Sequence, residues 1–122
     1  MGKINILIAD DEMESCQLVQ KGLLKHGFNV DVVFDGREAI DRIKINNYNF
    51  AFLDFNMPEL TGIEVAKMVK QRNIKCILVM ITGYAEMDEF FAKILGIDEY
   101  LRKPFSIDDI RNIIDKYIKK DV

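Results

Sequence analysis

Four places in this 122-residue chain carry side chains that could do chemistry together. "ADDE" sets Asp10 beside Asp11 after an apolar run, and "FAFLDFNMPELTG" places Asp54 between Leu53 and Phe55. "ITGY" offers Thr82, and "YLRKPF" offers Lys103. An unpaired buried carboxylate costs several kcal/mol unless it is neutralised, hydrogen-bonded or metal-bound. Two carboxylates about 4 Å apart repel by roughly 4 kcal/mol at an effective dielectric of about 20, so they must share a proton or hold a cation. Oxygen ligands without His or Cys favour a hard ion. Mg²⁺ (or Mn²⁺) takes one or two carboxylates, keeps waters and completes its shell with phosphate. A carboxylate beside such an ion stays ionised and can attack phosphorus, forming an acyl phosphate. An ammonium and a hydroxyl would then offset the charge on the transferring group.

Each residue also has a plainer reading. Asp10 or Glu12 could cap the first helix, Thr82 could cap the fourth, and Lys103 could be a solvated loop lysine. Asp54 fits a cap less well, because a capping-box pattern already stands nearby at Thr61 to Glu64. The joint reading gains weight because four separate apolar runs all end in polar residues of complementary type.

The elements that must position these side chains are readable. Short apolar runs at Ile4–Ala9, Phe28–Val33, Phe50–Leu53, Cys76–Ile81 and around Tyr100–Leu101 alternate with helix-period segments. The first, third and fourth are nearly continuous in apolar residues, as parallel strands covered on both faces require. The second alternates and the fifth is short and flanked by charge, which suits edge strands. The first helix carries Cys16, Val19 and Leu23 on one stripe and stops at His26-Gly27. The second opens on Asp35 with Glu38 three residues on, and the third on Thr61 with Glu64. The fourth has acids at Glu86, Asp88 and Glu89, then apolar Met87, Phe90, Phe91 and Ile94 before Gly96. The fifth starts at Ser106 with Asp109 and buries Ile107, Ile110, Ile114 and Tyr117. Five strand–helix repeats with short loops predict an α/β doubly wound parallel sheet with helices on both faces. In such sheets ligands bind beyond the carboxyl ends of the strands, where the strand order reverses.

Bulk properties restrict the function classes. The chain fits one domain, 1–122, with a core over about 4–119, and nothing in it resembles a linker or repeat. Hydrophobic residues at 49% and charged residues at 30% exclude a disordered composition. A net charge of −3 without a basic stripe argues against direct nucleic-acid binding by this segment. No apolar run could span a bilayer, and "DDE" interrupts the opening before a secretory core forms. Cys16 and Cys76 sit in apolar patterns without ligand spacing and read as buried free thiols of a cytoplasmic protein.

With those residues in place, the sequence resembles the receiver domain of two-component response regulators from about Asn5 to Ile118. The resemblance rests on Asp10-Asp11, on "LDFNMPELTG" with Asp54, Met57, Pro58 and Gly62 in register, on Thr82, on Tyr100, and on "KPF" at Lys103 to Phe105. It implies a flavodoxin-like (βα)5 fold with strand order 2-1-3-4-5. It implies that Asp54 accepts a phosphoryl group from a phosphohistidine on a sensor histidine kinase or phosphotransfer protein. Asp10 and Asp11 would hold Mg²⁺ alongside Asp54 and the backbone carbonyl of Asn56, with Asp11 the more direct ligand. Lys103 would contact the phosphoryl oxygens, Thr82 would swing toward them and Tyr100 would turn inward. That shift would remodel the face made by helix four, strand five and helix five, where an output domain, a downstream protein or a second copy docks. Pro58 would shape the loop after the acceptor, and the Lys103–Pro104 bond is expected to be cis, against a base rate of about 5–6%.

The sequence departs from the family pattern in one region. Thr82 and Lys103 are 21 steps apart, one fewer than in many relatives, and Ile97 stands where alanine is usual. The missing residue falls in helix four. Asn56 and Tyr84 would flank the path of an attacking water, and bulky Tyr84 is expected to slow self-dephosphorylation. An aspartate-nucleophile phosphatase needs a second acid two residues after the first, and Asn56 stands there instead. A flavin mononucleotide carrier needs a phosphate-cradling loop after strand one, and "DDEMES" would repel a phosphate. A phosphorylation-independent receiver acting as a protein-interaction module would be expected to lack the acceptor, an acid or the lysine. The ending "YIKKDV" suits either a natural stop or a cut just before an output module.

Overall fold

A computed structural model describes residues 3–83, 93 and 95–118. Five parallel strands, β1 (Asn5–Ala9), β2 (Asn29–Val33), β3 (Phe50–Asp54), β4 (Ile77–Thr82) and β5 (Glu99–Arg102), form one sheet of order β2-β1-β3-β4-β5. The order reverses between β1 and β3, whose registers run Ile6 to Phe50 and Ala9 to Leu53. The alternating second run and the short fifth run are the two edges, as their patterns predict. β3, between two neighbours and under helices, is buried along its whole length.

Four helices are described: α1 (Met13–Lys25), α2 (Gly36–Ile45), α3 (Gly62–Gln71) and a C-terminal helix over Ile107–Ile118. Three of their starts follow the predicted caps. Asp35 accepts from the Glu38 N–H at 2.8 Å, while Glu38 Oε2 accepts from the Phe34 N–H. Thr61 and Glu64 close a full capping box, and Ser106 and Asp109 exchange the same pair of bonds. α1 ends as expected, with Gly27 at φ 88. The predicted fourth helix, with the paired Phe90 and Phe91 and the one-residue shortening, lies largely outside the described residues.

The helices bury two apolar layers, one on each face. One gathers Leu7, Ala51, Leu53 and Met80 against α2 and α3, through Ile40, Ile43, Val65 and Val69. The other gathers Ile6, Ile8, Phe50, Phe52 and Ile81 against α1 and the C-terminal helix, through Cys16, Leu23, Ile110 and Ile114. Ile107 and Tyr117, expected in the core, are only half-buried at its edge. Helix α1 and the C-terminal helix pack so closely that a Cβ on Gly22 would stand 2.0 Å from Ile107 Cδ1. Among the described residues no helix is long and apolar enough to cross a membrane.

Candidate functional site

Period-two alternation decides which polar residues meet. Ile6 and Ile8 face the α1 side of the sheet, so Asp10 does too. Phe50 and Phe52 lead in the same way to Asp54, and Leu101 to Lys103. Three strands thus deliver two carboxylates and an ammonium to one rim, beyond their carboxyl ends. Asp10 is 3% exposed and Asp54 4%. Lys103 reaches them from the β5 loop, its Nζ lying 2.9 Å from Asp54 Oδ2, 3.1 Å from Glu12 Oε1 and 3.6 Å from Asp10 Oδ2. The other Asp54 oxygen accepts the Asn56 N–H at 3.1 Å, and Asp10 Oδ1 accepts the Glu12 N–H at 3.0 Å.

These contacts set the electrostatics. Burial pushes Asp10 up to about 7; the Glu12 N–H works against this, the Asp54 carboxylate adds to it, and Lys103 lowers it. Burial alone would pull the Lys103 ammonium down. Its bonds to Asp54 and Glu12 outweigh that, so the net shift is upward. Asp11, exposed, completes an acidic group in which one carboxylate oxygen from each of Asp10, Asp11 and Asp54 lies within 4.8 Å of the others. Oxygen donors alone, two buried and one open to water, fit a hard divalent ion that keeps part of its hydration shell. A cleft of about 360 Å³ leads to this rim past Asp10, Glu12, Ser15, Val19, Lys103 and Phe105. A larger one of about 650 Å³ opens at the opposite end of the sheet, against Asn5, Asn47 and Tyr48, and holds none of these acids.

The loop after Asp54 is tightly held. The Leu60 N–H donates to the Pro58 carbonyl at 2.8 Å across Glu59, whose φ is 69, which makes a γ-turn. The same carbonyl accepts the Gly36 N–H from α2 at 3.3 Å. A Cβ on Gly36 would lie 2.0 Å from the Leu60 carbonyl oxygen, and one on Gly62 would lie 2.5 Å from the Asp54 carbonyl oxygen. Only residues without a Cβ let α2 and α3 approach the acceptor loop this closely.

Asp10, Asp11, Asp54 and Lys103 therefore converge as expected. Thr82 is buried at the end of β4, its carbonyl accepting the Lys103 N–H at 2.9 Å. Tyr100 is half-buried and packs on the opposite apolar layer. Asn56 is exposed, Pro58 and Gly62 occupy the loop described above, and the Lys103–Pro104 peptide is cis. Tyr84 lies outside the described residues. Both cysteines are free thiols, buried or half-buried, and burial pushes each up to about 12. The plainer reading of Asp10 or Glu12 as a cap of α1 does not hold. Glu12 occupies the N-cap position but makes no side-chain cap bond, and Asp10 bonds the Glu12 N–H rather than a helical one. Asp10 continues the β1 ladder through its N–H to the Val33 carbonyl, and the Glu12 carboxylate is engaged by Lys103 instead. Glu12 and Gly36 are the site residues that sequence reasoning passed over. The "DDE" run was a signal for the first, and "DGRE" offered none for the second.

The family model described as "Response regulator receiver domain" matches residues 6–115. The chain is 28% identical to the response regulator ArlR of Staphylococcus haemolyticus, over 97% of this chain and 56% of that protein. It is 36% identical to the alkaline phosphatase synthesis transcriptional regulatory protein PhoP of Bacillus subtilis, over 83% of this chain and 42% of that one. It thus spans about half the length of these curated relatives. The solved receiver domain of the Francisella response regulator 1452 superposes with a TM-score of 0.90 at 30% identity, covering 98% of this chain and 100% of that one.

Proposed function

We propose that this chain, which belongs to the response regulator receiver domain family, is a phosphorylation-dependent switch with Asp54 as phosphoryl acceptor. The observation that carries the reading is the Lys103 ammonium, 2.9 Å from a buried Asp54 oxygen in a group of three convergent acids. The donor is a phosphohistidine of a sensor histidine kinase or phosphotransfer protein. An Asp54 oxygen attacks phosphorus, and the new O–P bond forms as the P–N bond breaks. The electron pair of that bond stays on the imidazole nitrogen, which takes a proton from water. Asp10, Asp11, Asp54 and the Asn56 carbonyl would hold Mg²⁺, which supplies countercharge to the phosphoryl oxygens. The chain's own residues do the rest. Lys103 donates a hydrogen bond to a phosphoryl oxygen, and Thr82 donates one to another.

Tyr100, next to Met80 across the β4–β5 register, turns inward as Thr82 moves. The exposed face of β5 and its flanking helices changes, and an attached output module or a separate cytoplasmic protein reads that change. Incubation with Mg²⁺ and acetyl phosphate, followed by intact mass, tests the reading. A single phosphoryl adduct forms on the wild type and none on Asp54→Asn; an equal adduct on both would overturn it.

A further inference from the structure

We propose that Glu12 is a positioning residue that holds Lys103 in the resting site and restrains phosphoryl uptake, an inference that rests on Asp54 being the acceptor. Glutamate is a poor N-cap, and here its carboxylate makes no cap bond to α1. It crosses the rim instead and meets the Lys103 Nζ at 3.1 Å, a residue 91 positions away. The ammonium donates hydrogen bonds to Asp54 and Glu12, and Asp10 Oδ2, at 3.6 Å, adds charge without a hydrogen bond.

A phosphoryl group arriving on Asp54 draws the ammonium toward its own oxygens, and the present partners compete with it for that charge. Asp10 and Asp54 are buried, with side chains 4% and 6% exposed, so water screens their attraction for the ammonium least. The Glu12 side chain is 59% exposed and can return to water at little cost. Glu12 is therefore the partner that yields. Until it does, it competes for Lys103 and adds a negative charge at the mouth of the cleft, where it repels an anionic donor.

Glu12→Gln keeps the volume and removes the charge; Glu12→Asp keeps the charge; Glu12→Ala removes both. The rate of adduct formation with acetyl phosphate at saturating Mg²⁺ is followed by intact mass, with urea melts alongside. In this reaction the Asp54 O–P bond forms and the donor's P–O bond breaks, releasing acetate. Glu12→Gln and Glu12→Ala should react about three- to tenfold faster than wild type. Glu12→Asp should stay near wild type, and the melts should coincide. An unchanged or slower Glu12→Gln beside a reactive wild type overturns this role for Glu12 and leaves Asp54 as acceptor. An equally accelerated Glu12→Asp overturns it too, since the effect would then be one of shape. A wild type that takes up no phosphoryl group overturns both readings.

Discussion

Replacing Asp10 with asparagine probes the electrostatics of the rim without any phosphoryl donor. Asp10 is raised from 3.8 to about 7 first by burial, then by the Asp54 carboxylate, against the pull of the Glu12 N–H and Lys103. Asp11 and Glu12 add negative charge from the loop before α1, and the Cys16 thiol behind it stays neutral. In the unfolded chain Asp10 returns to its ordinary value. Between the two values the folded protein binds the extra proton, so stability falls as pH rises, by at most about 1.4 kcal/mol per unit. The full loss, on the order of 4 kcal/mol, is reached above about pH 7 and vanishes below about pH 4. Asparagine cannot ionise and escapes it, although losing the 3.6 Å contact with Lys103 takes part of the gain back. Without metal, Asp10→Asn should match wild type within about 1 kcal/mol at pH 4 and exceed it by about 2–4 kcal/mol at pH 8. The chain has no tryptophan, so far-UV circular dichroism in urea, with a chelator present, is the assay. Adding Mg²⁺ should raise wild type selectively and narrow the gap. A gap of equal size at both pH values, or one favouring wild type at pH 8, would refute the reasoning.

Gly62→Ala drives a methyl to 2.5 Å from the Asp54 carbonyl oxygen, which should cost about 1–3 kcal/mol in a urea melt. It should also slow phosphoryl uptake at least about tenfold, since a displacement of about 1 Å at a reacting group is that expensive; an unchanged uptake rate would count against the close approach. Glu59→Gly relieves a left-handed backbone at φ 69 and, after the entropy of glycine is subtracted, should stabilise by about 0.5–1 kcal/mol. A lowered melting temperature would contradict that. Tyr84→Ala should speed loss of the phosphoryl group from Asp54, and a decay as slow as that of wild type would remove Tyr84 from the water path.

Much of the scaffold was legible because its signals are local. The bonds Asp35–Glu38, Thr61–Glu64 and Ser106–Asp109 span three residues each, so the chain announces them in order. Continuous apolar runs marked the central strands, and alternation or shortness marked β2 and β5 as edges. The types of the rim residues were legible for the same reason. Asp10, Asp54 and Lys103 follow short apolar runs that read as strands, and a strand end is where the ligand site of such a sheet lies.

What remained for tertiary structure was which of these groups touch. Asp10 and Asp11 are adjacent in the chain, yet one is buried and the other exposed, because Asp10 follows directly on β1 at the rim of the sheet and Asp11 lies in the bend that leads to α1. Glu12 reads as a helix cap until parallel pairing of β1, β3, β4 and β5 brings Lys103 across to it. Gly36 and Gly62 look like ordinary helix openings until the loop after Asp54 is folded against both. Sequence alone thus determined the elements and the chemical types at their ends, since those depend on neighbours three or four residues away. The partners of Lys103 and the clearance around Asp54 depend on register between strands tens of residues apart, and only the assembled sheet decides that.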